Sequence, residues 1–210
     1  MGATDVHLFT SNYVFPMEIT IRVAEPTDIH YAGAICELIK ESAKARGTGI
    51  AERQPAYVQT KIENGNAVIA LHGDQLAGFC YIEVWSHDRY VANSGLIVAP
   101  EYRRLGLARQ IKTHIFQLSR QKFPQAHVFG ITTSLAVMRI NSSLGYEPVT
   151  FSELTQDEAF WKGCQACTNY DILERNQRRM CLCTAMLAEA PEEEPLATDL
   201  SDLIISTPQV

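Results

Sequence analysis

The sequence has no long apolar run. A membrane-spanning helix needs roughly 20 consecutive apolar residues, and no stretch of this chain comes near that length. The N-terminal segment also lacks the basic start and apolar core of a secretory signal, and it has none of the arginines that a transit peptide carries. We therefore expect a cytoplasmic protein without a membrane partner.

A basic excess is missing as well, since 18 Lys and Arg residues stand against 24 Asp and Glu residues. A nucleic-acid-binding surface needs an excess of positive charge, so we expect no nucleic-acid partner. Six of the acidic residues lie beyond Leu187, where no basic residue follows, and the rest of the chain is formally neutral. This acidic segment, residues 188–210, is predicted to be a flexible tail.

The chain has 210 residues, 46% of them apolar, which is enough for one domain with a substantial core. We place this domain at residues 18–187, after an N-terminal extension of residues 1–17. Periodicity and turn signals predict its elements. The strands are expected at 18–24, 67–71, 76–85, 92–98, 127–131, 146–151 and 180–187. The helices are expected at 29–39, 55–64, 106–122 and 135–144, and residues 152–179 are expected to be irregular.

The segment Val98–Ala108 joins a predicted strand to an amphipathic helix. Gly106 and Ala108 are small residues at the helix start, where the first N–H groups have no partner in the helix and the helix dipole is positive. A phosphate can approach these N–H groups closely, and Arg103 and Arg104 add positive charge. An ordinary turn that merely uses a glycine is the alternative. The pattern favours a pyrophosphate-binding loop.

The same segment, Val-Ala-Pro-Glu-Tyr-Arg-Arg-Leu-Gly-Leu-Ala, resembles the coenzyme-A-binding motif of the GNAT superfamily of N-acetyltransferases. The order of the predicted elements over about residues 19–187 is similar to that family's fold. The resemblance implies an α/β (α+β) domain with a central mixed, mostly antiparallel sheet flanked by about four helices. It implies that acetyl-CoA is the cofactor and that its pantetheine arm lies along the end of the strand before the loop. The residues it assigns to acetyl-CoA are Leu96, Ile97, Val98, Arg103, Arg104, Leu105, Gly106, Leu107, Ala108 and Asn141.

The catalytic groups that the resemblance implies are partly missing. Many family members use a Tyr as the acid, but the matching position here is Asn141, which can only form hydrogen bonds to the sulfur or the coenzyme. The usual strand Glu is replaced by Asn93 and Ser94. The nearest candidates for the base are Glu83 and His87, and a His has a suitable ordinary pKa. A solvated loop His and a Glu that faces water are the competing interpretations.

The segment after the first predicted helix contains glycines and arginines close together. Its glycines permit a tight backbone near a ligand, and its arginines can bind a carboxylate through two parallel hydrogen bonds. A flexible loop with solvated arginines is the alternative. The segment and the stretch Leu144–Val149 also resemble the acetyltransferase domain of N-acetylglutamate synthases, which implies a small amino acid as the acceptor. The predicted substrate-binding residues are Arg46, Gly49 and Arg53.

Four of the six cysteines cluster late in the chain, at Cys164, Cys167, Cys181 and Cys183. A C-x-x-C turn presents two sulfurs to one point, and residues two apart on a strand share a face. The set can therefore form a tetrahedral structural zinc site that ties the Cys-rich excursion, residues 152–183, to the last strand. Plain reduced thiols are one alternative, and a disulfide or redox pair is another that the cytoplasm disfavours.

These features together predict an acetyl-CoA-dependent N-acetyltransferase that transfers its acetyl group directly to a small-molecule amine. An enzyme that acetylates protein or peptide amines is one alternative. A non-catalytic acyl-CoA-binding or interaction module is another, and the missing Tyr and strand Glu support it. The oligomeric state stays open, and a homodimer is compatible with the sequence.

Overall fold

The alternating segment near the start of the chain forms the edge of a seven-stranded sheet. The computed structural model describes residues 18–46 and 53–191. The strands are β1 (Ile19–Val23), β2 (Ala67–His72), β3 (Gln75–Trp85), β4 (Tyr90–Val98), β5 (His127–Thr132), β6 (Glu147–Val149) and β7 (Thr184–Ala188). Their order in the sheet is β1-β2-β3-β4-β5-β7-β6, and β4 and β5 form its parallel pair. The expected mixed, mostly antiparallel sheet is confirmed.

Helices cover both faces of this sheet, as expected for an α/β domain. They are α1 (Ala32–Arg46), α2 (Pro55–Glu63), α3 (Leu107–Lys122), α4 (Leu135–Ser142), α5 (Glu158–Lys162) and α6 (Tyr170–Arg175). In the described part of the chain, no helix is both long enough and apolar enough to cross a membrane.

The two faces of the sheet have separate cores. On one face, Ile111 and Ile115 of α3 pack against Cys80, Ile82 and other buried strand residues. On the other face, α1 and α2 cover the β1–β4 half of the sheet through a second cluster. A third cluster joins the segment after β6 to the β5–β7 half of this second face. The second face is therefore covered by two separate groups of elements, α1 with α2 on one half and the segment after β6 on the other.

The parallel pairing between β4 and β5 is short. It includes three residue pairs and ends at Ala92 and Phe129. Beyond these residues the two strands separate, although β4 continues to Val98 and β5 to Thr132. The sheet therefore has an opening along its middle, which begins at Asn93 on one side and Gly130 on the other.

The Cys-rich excursion is more ordered than the sequence predicts. It contains α5, α6 and short 3-10 turns, and its Leu154, Trp161 and Leu173 side chains are buried together with the preceding Phe151. The last strand was expected from residue 180 but begins at Thr184, so Cys181 and Cys183 precede it. The reason is that the excursion obtains its core from aromatic and aliphatic side chains packed on the sheet, which local periodicity does not reveal.

Two glycines provide a test of the packing between α3 and the sheet. A Cβ atom on Gly78 in β3 would lie 2.5 Å from Ile111 Cδ1 and 2.9 Å from the backbone oxygen of Ile97, whereas one on Gly33 in α1 would meet nothing within 4 Å. We expect Gly78→Ala to lower the free energy of unfolding by about 1–3 kcal/mol through overpacking. Gly33→Ala should raise it by about 0.5–1 kcal/mol because alanine favours helix. Urea unfolding of both variants checks this, and equal stabilities would contradict the close approach of α3.

Candidate active site

A cavity of about 530 Å³ lies where β4 and β5 separate. It passes through the opening, because it is lined by residues of both faces of the sheet. Glu83 and Ala92 belong to the face that α2 and the excursion cover, whereas Asn93, Lys112 and Asn141 lie on the α3 side. The cavity thus connects the end of the α3 face to the space between α2 and the excursion.

Glu83 is buried in the wall of this cavity. The residue is 6% exposed, and its carboxylate accepts a short hydrogen bond from the Tyr57 hydroxyl of α2. Burial and the neighbouring Glu83 carboxylate raise the pKa of Tyr57, so this phenol remains a proton donor. Lys61 is close enough for its charge to interact with that of Glu83. The competing interpretation, in which Glu83 faces water, is therefore wrong, and the side chain is a carboxylate held at the cavity.

Arg53 also lines the cavity, at the end next to Glu83. Its Nε donates a 2.6 Å hydrogen bond to the Tyr81 hydroxyl, and its guanidinium lies 5.7 Å from the centre of the Tyr57 ring. Trp85 Nε1 is a further donor on the cavity lining, and it is buried without a hydrogen-bond partner among the described residues. This end of the cavity therefore has a cation and an uncommitted N–H group beside a carboxylate.

A β-bulge on β4 gives Tyr81 its position. The register between β3 and β4 shifts between Phe79 and Tyr81, and Gly95 lies opposite with a φ of 66°. A Cβ atom on Gly95 would lie 2.3 Å from Tyr81 Cε1, so only glycine allows the backbone this close to the ring.

The predicted phosphate-binding loop has the expected helix start. Gly106 is the residue before α3 and has a φ of 76°, in the left-handed region that favours glycine. Arg104 and Leu105 are exposed. Arg103 is partly committed, because it donates hydrogen bonds to the Val98 carbonyl oxygen and to the Ser42 hydroxyl. Gly106 is exposed and no atom lies within 4 Å of its Cβ position, so the start of α3 borders open space, and the exposed Arg104 adds a cation there.

The remaining residues predicted for the coenzyme lie on both sides of β4. Leu96 lines the cavity, Ile97 is buried against the α1–α2 cluster, and Val98 packs at the edge of the α3 cluster. Leu107 is buried and Ala108 is half-buried at the start of α3. The backbone of this strand end, rather than all of its side chains, borders the opening.

Asn141 on α4 is buried at the cavity. Its Nδ2 lies 3.6 Å from the Met186 sulfur, and its Oδ1 has no hydrogen-bond partner in the described part of the chain. A buried amide oxygen without a partner is costly, so this atom is placed to accept a hydrogen bond from a bound molecule. Asn141 cannot itself exchange a proton.

Lys112 on α3 is a cavity residue that the sequence analysis missed. It is 2% exposed, and its Nζ donates a 3.3 Å hydrogen bond to Asn93 Oδ1 and lies 4.8 Å from the centre of the Tyr146 ring. Burial lowers the pKa of Lys112 to about 8. A signal was present in the sequence, because Lys112 lies between Ala108 and Ile115 at the four- and three-residue spacing of the apolar face of α3.

Other predicted residues lie outside this cavity or outside the described residues. His87 is exposed in the turn between β3 and β4, where Ser86, His87 and Asp88 all have positive φ angles, and it does not line the cavity. Gly49 lies outside the described residues. Arg46 is the last residue of α1, and the structure does not describe its side chain.

The four clustered cysteines do meet at one wall of the cavity, but the zinc prediction is not supported. Within residues 18–46 and 53–191, no group of three or more His, Cys, Asp or Glu side chains is arranged to hold a metal ion. The assumed strand geometry is wrong, since Cys181 and Cys183 precede β7. Cys164 lies in a 3-10 turn, and Cys167 directly follows that turn. Burial and the neighbouring thiols raise the pKa of Cys164 to about 11 and that of Cys183 to about 12, which favours the reduced, protonated thiols considered as an alternative.

Comparison with known protein families gives one match. Residues 34–136 match the model of the acetyltransferase (GNAT) family. The matched segment begins in α1 and ends in α4, so it includes the loop before α3 and the separation of β4 from β5. No curated protein sequence matches the chain at a significant level.

Solved structures share the fold at low sequence identity. An N-acetylglutamate synthase from Neisseria gonorrhoeae, complexed with coenzyme A and N-acetyl-glutamate, aligns with a TM-score of 0.58 and 16% identity over 82% of this chain, which spans only 35% of that chain. A Mycobacterium tuberculosis protein complexed with CoA aligns with a TM-score of 0.57 and 18% identity, covering 81% of this chain and 98% of that one. The ribosomal-protein-S18-alanine N-acetyltransferase from Escherichia coli gives 0.54 and 16%, covering 85% and 99%. At these identities the likeness establishes the fold.

Proposed function

Because the chain belongs to the acetyltransferase (GNAT) family, we propose that it transfers an acetyl group from acetyl-CoA to the amine of a small metabolite that carries a carboxylate, such as the amino acid glutamate. The observation that carries this proposal is the placement of Arg53 beside Glu83 at the opening between β4 and β5. A cation that can bind a carboxylate and a carboxylate that can accept a proton from an amine lie at the same end of the cavity.

The described residues suit acetyl-CoA as the donor. The open start of α3 at Gly106 offers N–H groups and a positive dipole to a pyrophosphate. The unpaired edge of β4 beyond Ala92 leaves backbone groups for the amides of a pantetheine arm. The buried Oδ1 of Asn141 can accept a hydrogen bond from the same molecule. When bound, acetyl-CoA would supply the activated acetyl group.

Glu83 is the base in this proposal. An amine must lose a proton before it can attack a carbonyl carbon, and a buried carboxylate at the cavity wall can accept that proton directly or through one water molecule. The Tyr57 hydroxyl fixes the orientation of the carboxylate through its hydrogen bond. His87 is the weaker candidate because it lies on the exposed turn outside the cavity.

Arg53 would bind the acceptor's carboxylate. Guanidinium and carboxylate groups form charge-assisted hydrogen bonds that are stronger than neutral ones. The Tyr81 hydroxyl holds Arg53 Nε, and this bond fixes the plane of the guanidinium. Trp85 Nε1 offers a second donor on the same cavity. The N-acetylglutamate bound to the Neisseria gonorrhoeae relative is a molecule of this chemical class.

A thiol-release assay tests the proposed function. Purified protein and acetyl-CoA are incubated with a panel of amines that includes glutamate, other amino acids, amines of similar size without a carboxylate, and short peptides. Release of coenzyme A with amino acids is the expected result. Release with peptides alone would instead favour a protein N-acetyltransferase, the activity that the Escherichia coli relative's name gives. Binding of acetyl-CoA without release for any amine would favour a non-catalytic module.

Arg53→Met should raise the KM for the carboxylate-bearing acceptor by about 10- to 100-fold, because a hydrogen bond to a charged group contributes roughly 1.5–3 kcal/mol. The KM for an acceptable amine without a carboxylate should change little, since that amine does not use the guanidinium. Arg175→Met on α6 is the matched control, because Arg175 is exposed and outside the cavity lining. Equal effects on both kinds of acceptor would show that Arg53 does not bind the carboxylate.

A further inference from the structure

Lys112 is a buried cation for which the proposed function gives no role. Its partners Asn93, Tyr146 and Cys80 are neutral side chains from β4, the segment after α4, and β3. Burial raises the pKa of Tyr146 and that of Cys80, so neither forms an anion to balance the lysine. A buried ammonium without a paired anion is costly, and evolution commonly accepts such a cost where the charge meets a ligand.

Lys112 lies where β4 and β5 separate. A Cβ atom built on Gly130 would lie 4.0 Å from Lys112 Nζ, 4.0 Å from Asn141 Nδ2 and 3.7 Å from the Asn93 carbonyl oxygen. Both nitrogens therefore converge over Gly130, the first residue of β5 beyond the last pair with β4. Glu83 borders the same cavity from the opposite face of the sheet. A reacting group in the opening would have Glu83 on one side and Lys112 on the other.

We propose that Lys112 is the catalytic proton donor to the sulfur of coenzyme A. Asn141 stands at the position expected for the acid, but its neutral amide cannot donate a proton to the sulfur. This inference rests on the proposed acetyl transfer. Asn141 then has the lesser role of a hydrogen-bond partner beside the sulfur. Lys112 is suited to the role because it is the cation of the cavity on the α3 side, where negative charge develops as the sulfur leaves.

The proton and electron balance of the step is complete without another reactant. Glu83 accepts a proton as the amine nitrogen forms its bond to the acetyl carbon. The carbon–sulfur bond breaks and its electron pair stays on sulfur. Lys112 donates a proton from its ammonium group to that sulfur, which gives the free thiol. Glu83 releases its proton to water and the neutral Lys112 amine takes one from water, so that both groups return to their starting states and a neutral amine reacts with no net release of protons. An acceptor that enters as an ammonium first gives one further proton to water through Glu83, and this is the single proton that the reaction then releases.

The acidity of Lys112 matches this task. A pKa of about 8 is close to the ordinary value for a thiol, about 8.5, so that the transfer is nearly balanced in energy. An exposed lysine, with a pKa of about 10.4, would be a weaker acid. The surrounding Asn93 and Tyr146 side chains hold the amine in place through neutral contacts and leave its charge available to the cavity.

The test is the titration of coenzyme A itself when bound to the protein, followed by the ultraviolet absorbance of its thiolate. A cation within contact distance lowers the pKa of an acidic group by about 1–3 units. We expect the bound thiol of the wild type to titrate at least about one pH unit, that is tenfold in acidity, below that of Lys112→Met. The kcat for acetyl transfer should fall about 10- to 100-fold in the same variant. Lys122→Met, on the same helix with its Nζ bonded to the α2–β2 turn, should leave the thiol titration unchanged.

Methionine has a similar shape and removes a buried charge, so Lys112→Met should fold, and Lys112→Gln provides the same comparison with a polar side chain. Variants that bind coenzyme A but leave the titration of its thiol as in the wild type would overturn the role of Lys112. A shifted thiol together with an amine panel that gives no product would support the placement of Lys112 and contradict acetyl transfer. A wild type that does not bind coenzyme A would overturn both.

Discussion

Gly106→Glu should weaken acetyl-CoA binding by about 100-fold or more, because the substitution combines a strained backbone with a misplaced charge. Gly106 has a left-handed φ of 76° directly before α3, and a side chain there would project into open space at the helix start. A carboxylate in that space would occupy the positive end of the helix dipole that a pyrophosphate would use. Isothermal calorimetry with acetyl-CoA measures the loss.

Gly106→Asn is the matched control for this variant. Asparagine tolerates the left-handed region better than other residues and carries no charge, so its affinity should stay within about tenfold of the wild type. Since no atom lies within 4 Å of the Cβ position, both variants should fold. Unchanged affinity in Gly106→Glu would show that the start of α3 does not hold the donor.

Glu83→Gln should lower kcat by about 10²- to 10⁴-fold, the usual contribution of a general base. Glutamine preserves the size of the side chain and can still accept the hydrogen bond from Tyr57, so the cavity should keep its shape. The affinity for acetyl-CoA should change little, because Glu83 lies at the acceptor end. Steady-state thiol release combined with calorimetry separates these two effects.

Two further variants make this prediction specific. Glu63→Gln at the end of α2 removes an exposed carboxylate outside the cavity lining, and it should have wild-type activity. His87→Gln tests the competing base on the β3–β4 turn. A large loss in His87→Gln with near-normal activity in Glu83→Gln would reverse the assignment of the base.

Local patterns in the sequence predicted much of the fold. The alternation in β1 to β4, the amphipathic α3 and the glycine before it are all short-range features, and the structure places these elements within a few residues of the expected bounds. Such features depend on neighbours in sequence, which is why they could be predicted.

The chemistry of the cavity depends on contacts between distant segments. The partner of Glu83 is Tyr57, 26 residues away, and no sequence spacing indicates that pair. The burial of Lys112 follows from Asn93 on β4 and Tyr146 beyond α4, which meet it only after folding. The same limit explains the zinc prediction, in which the cysteine spacing was interpreted on a strand that begins only at Thr184.

The three residue pairs between β4 and β5 are the short join between two halves of the sheet. The seven strands behave in hydrogen-bonding terms as two smaller sheets, β1–β4 and β5–β7–β6, that share a short join and are otherwise held by helices and the excursion. A donor lying in the opening would replace the missing ladder with its own amides. Binding of the donor would then add to the cohesion between the halves, since a ligand that binds only the folded state raises the free energy of unfolding with the logarithm of its concentration above Kd.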